Sequence, residues 1–77
     1  MCTDKNITGM VMMKTLMALG FENVDYHGYH HILYSKEKNK MVSVRIGQDF
    51  LCNVYIAEIL SCADVTWEQI TLNRTDI

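Results

Sequence analysis

The sequence contains no proline, only four glycines and three cysteines, and no long uninterrupted hydrophobic run. The missing proline, in a chain that is 49% hydrophobic and 21% charged, argues against a collagen-like segment or a disordered tail. Cys2, Cys52 and Cys62 are odd in number and far apart, so a disulfide framework is not expected and a reducing compartment is. No CxxC pair occurs, which removes thiol redox chemistry of that type. The most apolar stretch, Met10 to Phe21, is broken by Lys14 and Thr15. It is too interrupted for a signal peptide and too short for a membrane span, so a soluble cytoplasmic protein with no membrane partner is expected. Basic charge is not in excess either: seven Lys and Arg face nine Asp and Glu, for a net −2. Domains that coat nucleic acid are usually far more basic.

What is present fits a single domain over residues 1–77. A chain of this size buries about 60% of the surface it exposes when unfolded, enough for one core and no deep chamber. From Thr8 to Leu19, the apolar residues Val11, Met12, Leu16 and Leu19 recur at helical spacing. Thr8 is placed to cap this helix and Gly20 to stop it. Four of the six methionines lie here and are assigned to core packing. Phe21–His27 and Tyr29–Ser35 are rich in aromatic and β-branched residues and flank Gly28, as in a tight hairpin. After a charged turn, Lys36 to Lys40, the stretch Met41–Ile46 alternates, with Val42, Val44 and Ile46 on one face. A second helix is expected over Phe50–Ala63, capped by Asp49, with Val54, Ile56, Ile59, Leu60 and Ala63 as its apolar stripe. Cys52 and Cys62 would pack within that helix. Thr66 and Gln69 have capping-box spacing for a short helix from Trp67, with a strand over Ile70–Leu72 as the alternative. Helices that bracket a three-stranded antiparallel sheet define an α+β class.

No serine elbow, phosphate loop, paired-cysteine zinc site or HExxH motif occurs. All three histidines fall in five residues, His27-Gly28-Tyr29-His30-His31. An unperturbed imidazole, with a pKa of about 6.5, takes and gives protons near neutrality. Three roles are open to this cluster: filling strand positions, binding a metal, or acid–base catalysis by one exposed imidazole. Adjacent strand residues point to opposite faces, so His30 and His31 cannot share one metal, and no cysteine or carboxylate nearby completes a ligand set. Strand parity alone leaves open which histidine is exposed. Tyr26, Tyr29 and Trp67 are assigned to packing.

In order along the chain stand Gly20-Phe21, then Gly28-Tyr29-His30-His31 eight residues after that glycine, then Val42-Ser43-Val44. Ile56-Ala57-Glu58-Ile59-Leu60, Ala63-Asp64-Val65 and Trp67-Glu68-Gln69-Ile70 follow. Over about residues 8–72 this succession resembles the HicA family of bacterial toxins. The resemblance implies a double-stranded-RNA-binding-domain-like α-β-β-β-α fold and metal-independent cleavage of mRNA. It also implies no cofactor and a HicB-like antitoxin as protein partner. It sets the parity: His31 and Leu33 turn to the core, and His30, Ile32 and Tyr34 to the open face. His30 matches the family's catalytic histidine. Lys36, Lys38, Lys40 and Arg45 are then the cations available to RNA phosphates, and Tyr34 is a platform for a base. Tyr29 replaces the family's serine, and Arg45-Ile46-Gly47 stands where the family carries proline and histidine. With the net charge of −2, these departures keep a second class open: a non-catalytic binding module on the same scaffold.

Overall fold

A computed structural model describes residues 6–47 and 49–74; Cys2 lies outside them. The chain runs α1 (Gly9–Ala18), β1 (Glu22–His27), β2 (His30–Ser35), β3 (Lys40–Arg45), α2 (Asn53–Ala63) and α3 (Trp67–Asn73). The strands form one antiparallel sheet in the order β1-β2-β3. This is the α-β-β-β-α order expected of an α+β domain, completed by a third helix. No helix among the described residues is long and apolar enough to cross a membrane.

Local chemistry explains the helix ends. The Thr8 hydroxyl accepts from the Val11 amide at 3.3 Å and caps α1. Beyond α1, Gly20 takes a φ of +108°, the Phe21 amide donates to the Leu16 carbonyl, and the Gly20 amide donates to that of Met17. This pair of bonds is a Schellman closure, and the buried Leu16 and Phe21 are its hydrophobic partners. α2 closes in the same way through Asp64, at a φ of +56°. Thr66 and Gln69 form a full capping box, so the tail is helix and the alternative strand over Ile70–Leu72 is set aside.

The core joins Met12 and Leu16 of α1 to Leu33, Val42 and Val44 of the sheet, Ile56, Ile59 and Ala63 of α2, and Ile70 of α3. These helices therefore cover one sheet face. Every residue of β1 is exposed and none joins that core, because α1 and α2 pack over the β3 side of the sheet. Its register also shifts between Asn23 and Asp25, a bulge at Val24.

Several expectations are corrected. The hairpin turn has two residues, Gly28 and Tyr29, with Gly28 at a φ of +63° as a type II′ turn requires at its first position. α2 begins at Asn53 because the preceding backbone is committed elsewhere: Phe50 bridges to Thr8, and the Leu51 amide donates to the Ile7 carbonyl at 2.8 Å. Asp49 therefore does not cap the helix, and Cys52 occupies the N-cap without a side-chain capping bond to the helix amides. Cys52 and Cys62 are exposed rather than packed. Val54 is 82% exposed, outside the stripe assigned to it, and Met10 and Met17 lie on the solvent side of α1. Tyr26 and Tyr29 are exposed, whereas Trp67 does pack against the core.

α1 meets β3 at its first residue. A Cβ on Gly9 would fall 1.9 Å from the Arg45 carbonyl oxygen and 2.9 Å from its carbon. Both atoms belong to backbone, so neither can swing away. Gly9→Ala is expected to cost about 1–3 kcal/mol in urea unfolding, whereas Met10→Ala on the exposed side should stay within about 0.5 kcal/mol.

Candidate active site at the open sheet face

Leu33 and Ser35 are buried, so alternation along β2 turns His31 to the same, core-ward side and His30, Ile32 and Tyr34 to the other. Cross-strand partners share a face. His30 stands opposite His27 on β1 and Arg45 on β3; Ile32 lies between Asp25 and Ser43, and Tyr34 between Glu22 and Met41. The open face therefore carries three rows, and the histidine row is the one beside the turn.

The three histidines have different surroundings. His27 Nε2 lies 3.2 Å from the Asp25 carboxylate, with both side chains largely in solvent. His31 is half-buried: Asn23 Nδ2 donates to its Nδ1 at 2.8 Å, and the Tyr26 ring stacks on it with centroids 5.5 Å apart. His30 is exposed and has no side-chain partner among the described residues. Of the three, it is the imidazole with both nitrogens open to a substrate.

Beside it, at the free edge of β3, lies an open cleft of about 290 Å³, lined by His30 and Ser43 from the sheet and by Tyr55, Glu58 and Cys62 from α2. Val42 and Ile59 also border it. Tyr55, Glu58 and Cys62 follow one another at intervals of three and four residues and so share one face of α2. The Tyr55 hydroxyl holds that face in place. It accepts from the Arg45 amide at 2.9 Å and donates to the Ser43 carbonyl at 3.3 Å, engaging the free edge of β3. Tyr55 and Glu58 received no functional role from the sequence pattern, and Cys62 only a packing one. Their own spacing was the available signal.

Of the expected cations, only Arg45 sits with His30. Its side chain also lines a second hollow of about 210 Å³ with Tyr29, Ile46 and Leu51. Lys36 and Lys38 lie in the β2–β3 turn beyond Ser35, the far end of β2, which is about 17 Å from His30 at about 3.3 Å per residue. Lys38 donates to the Asp64 carbonyl after α2. Lys40 pairs with Ser35, which places it on the helix side of the sheet. Tyr34 does share the open face with His30, and its hydroxyl donates to Asn39 Oδ1 at 3.0 Å. No group of three or more histidine, cysteine, aspartate or glutamate side chains is arranged to hold a metal among the described residues.

Tyr55→Phe removes both bonds to the β3 edge. It is expected to cost about 1–2 kcal/mol and to speed amide hydrogen exchange at Arg45, while amides in β1 keep their rates. No family model and no curated protein matches the chain.

Proposed function

We propose that this chain is a HicA-like endoribonuclease that cleaves mRNA in the cytoplasm, with His30 as a proton-transfer group, and that a HicB-like antitoxin neutralises it. The observation that carries this is the environment of His30: exposed, without a side-chain partner, opposite Arg45 and at the mouth of a cleft. Attack of a ribose 2′-hydroxyl on the adjacent phosphate needs a proton acceptor for that hydroxyl and a donor for the departing 5′-oxygen. It also needs positive charge against the developing phosphorane. His30 is suited to the first or second task and Arg45 to the third. Tyr34 lies further along the same face as a stacking surface, and Lys36 in the far turn would meet the strand only beyond it.

A second reading, a non-catalytic binding module, is favoured by the net charge of −2 and by the solvent-exposed Val24, Tyr26 and Tyr29. In that case His30 would be dispensable.

Expression in bacteria separates the two. Wild type should arrest growth with loss of mRNA, and His30→Ala should do neither. Purified His30→Ala should cleave RNA at least about 10²-fold more slowly, and His27→Ala within a few-fold of wild type. Equal harmlessness of wild type and His30→Ala would remove the nuclease.

A further inference from the structure

Cleavage by the 2′-hydroxyl requires two proton transfers, and the cleft holds a second titratable group suited to one of them. We infer that Glu58 is the general base that partners His30; this rests on the nuclease reading of the same site. Four titratable side chains line the cleft: His30, Tyr55, Glu58 and Cys62. The Tyr55 hydroxyl is already committed as acceptor from the Arg45 amide and donor to the Ser43 carbonyl. A thiol is a weak donor and a weak acceptor, so Cys62 is poorly suited to proton transfer between oxygens. Glu58 is exposed and has neither an ion pair nor a hydrogen bond among the described residues. It is also the sole carboxylate among the residues lining this cleft. One helical turn separates it from Tyr55, whose two bonds to β3 set the height of α2 against the sheet. The two proton-transfer groups thus come from different elements bordering one cleft, His30 from β2 and Glu58 from α2.

The roles follow from what each group can carry. An ionised carboxylate only accepts hydrogen bonds, whereas a protonated imidazole donates from both nitrogens. Glu58 therefore takes the proton of the 2′-hydroxyl as that oxygen bonds to phosphorus. The bond from phosphorus to the 5′-oxygen breaks, and the leaving oxygen takes its proton from the His30 imidazolium. The products are a 2′,3′-cyclic phosphate and a 5′-hydroxyl end. Solvent then returns one proton to His30 and removes one from Glu58. Arg45, opposite His30 in the ladder, is placed for the phosphate oxygens and not for proton transfer.

The test is cleavage of a mixed-sequence single-stranded RNA oligonucleotide by the purified full chain from pH 4.5 to 9. A base and an acid acting together give a bell-shaped profile of kcat/KM. Glu58→Gln, isosteric at an exposed position, should lower kcat/KM by about 10²-fold or more and abolish the acidic limb. Glu58→Asp should recover part of the rate, and the circular dichroism spectrum should not change. His30→Ala should remove the alkaline limb from whatever activity remains. If wild type and Glu58→Gln cleave within three-fold of each other with the same two limbs while His30→Ala is inactive, the Glu58 role is overturned and His30 stands. If wild type leaves RNA intact at every pH, or His30→Ala cleaves as wild type does, the nuclease reading falls and Glu58 with it.

Discussion

The contact between Gly9 and the backbone of Arg45 is the constraint on which the arrangement depends. With a Cβ only 1.9 Å from the Arg45 carbonyl oxygen, no other residue type fits at position 9 at this separation. The helix can therefore lie directly on the end of β3, bringing Met12 and Leu16 into the core with Val44. On its outer edge the same strand is held by the Tyr55 hydroxyl of α2. β3 is thus gripped by α1 near its C-terminal end and by α2 along its edge. β1 has no such helix support and is held to β2 by ladder bonds and by the Asn23 and Tyr26 contacts to His31. Edge strands that remain open are commonly blunted by bulges and charges, and the Val24 bulge with Glu22 and Asp25 serves that purpose here.

That asymmetry decides where a site can be built. A catalytic side chain needs to be held to within a fraction of an ångström by its surroundings. His30 begins β2 directly opposite Arg45, and the ladder continues past that pair, with the Ile46 amide donating to the Tyr29 carbonyl at 2.6 Å. His30 is therefore backed by the best-supported strand while its imidazole stays open. His27, on the unsupported edge, reaches its own neighbour Asp25 instead. The histidine cluster thus resolves into three environments: one stacked and hydrogen-bonded, one paired with a carboxylate, and one open.

Much of this was legible from residue pattern because local rules and tertiary packing agree. Thr8, Gly20, Thr66 and Gln69 punctuate helices by backbone chemistry that needs no distant partner. Val42 and Val44 alternate because one face of β3 is buried and the other is not. Where a distant segment intervenes, local pattern misleads. Phe50 and Leu51 have the apolar character of a helix start, but Thr8 and Ile7 take their backbone into an extended pairing that no propensity encodes. Tyr26 and Tyr29 have the composition of packing residues, yet the outer position of β1 and the hairpin turn leaves them in solvent. Within the site, parity alone left the exposed histidine open and the family resemblance pointed to His30, whereas its pairing with Arg45 comes from the β2–β3 register. The convergence of Glu58 and Tyr55 on the same cleft was not legible in the pattern, because it depends on the height at which α2 crosses β3.

The lysine turn shows the same limit in electrostatic form. Lys36, Lys38 and Lys40 look like a phosphate grip when counted along the chain, but they are spread over the turn, a helix-end carbonyl and the covered side of the sheet. The open face instead presents Arg45 at one end and the carboxylates of Glu22 and Asp25 along β1. Long-range attraction for a polyanion is weak on such a surface, since affinity for nucleic acid grows with the number of phosphates neutralised. An acidic chain with one cation beside an open imidazole gains little from its overall field. As the proposed nuclease, it would depend on the few groups around the reacting phosphate, so discrimination among RNA segments would come from how a strand enters the cleft rather than from how strongly the domain holds RNA in general.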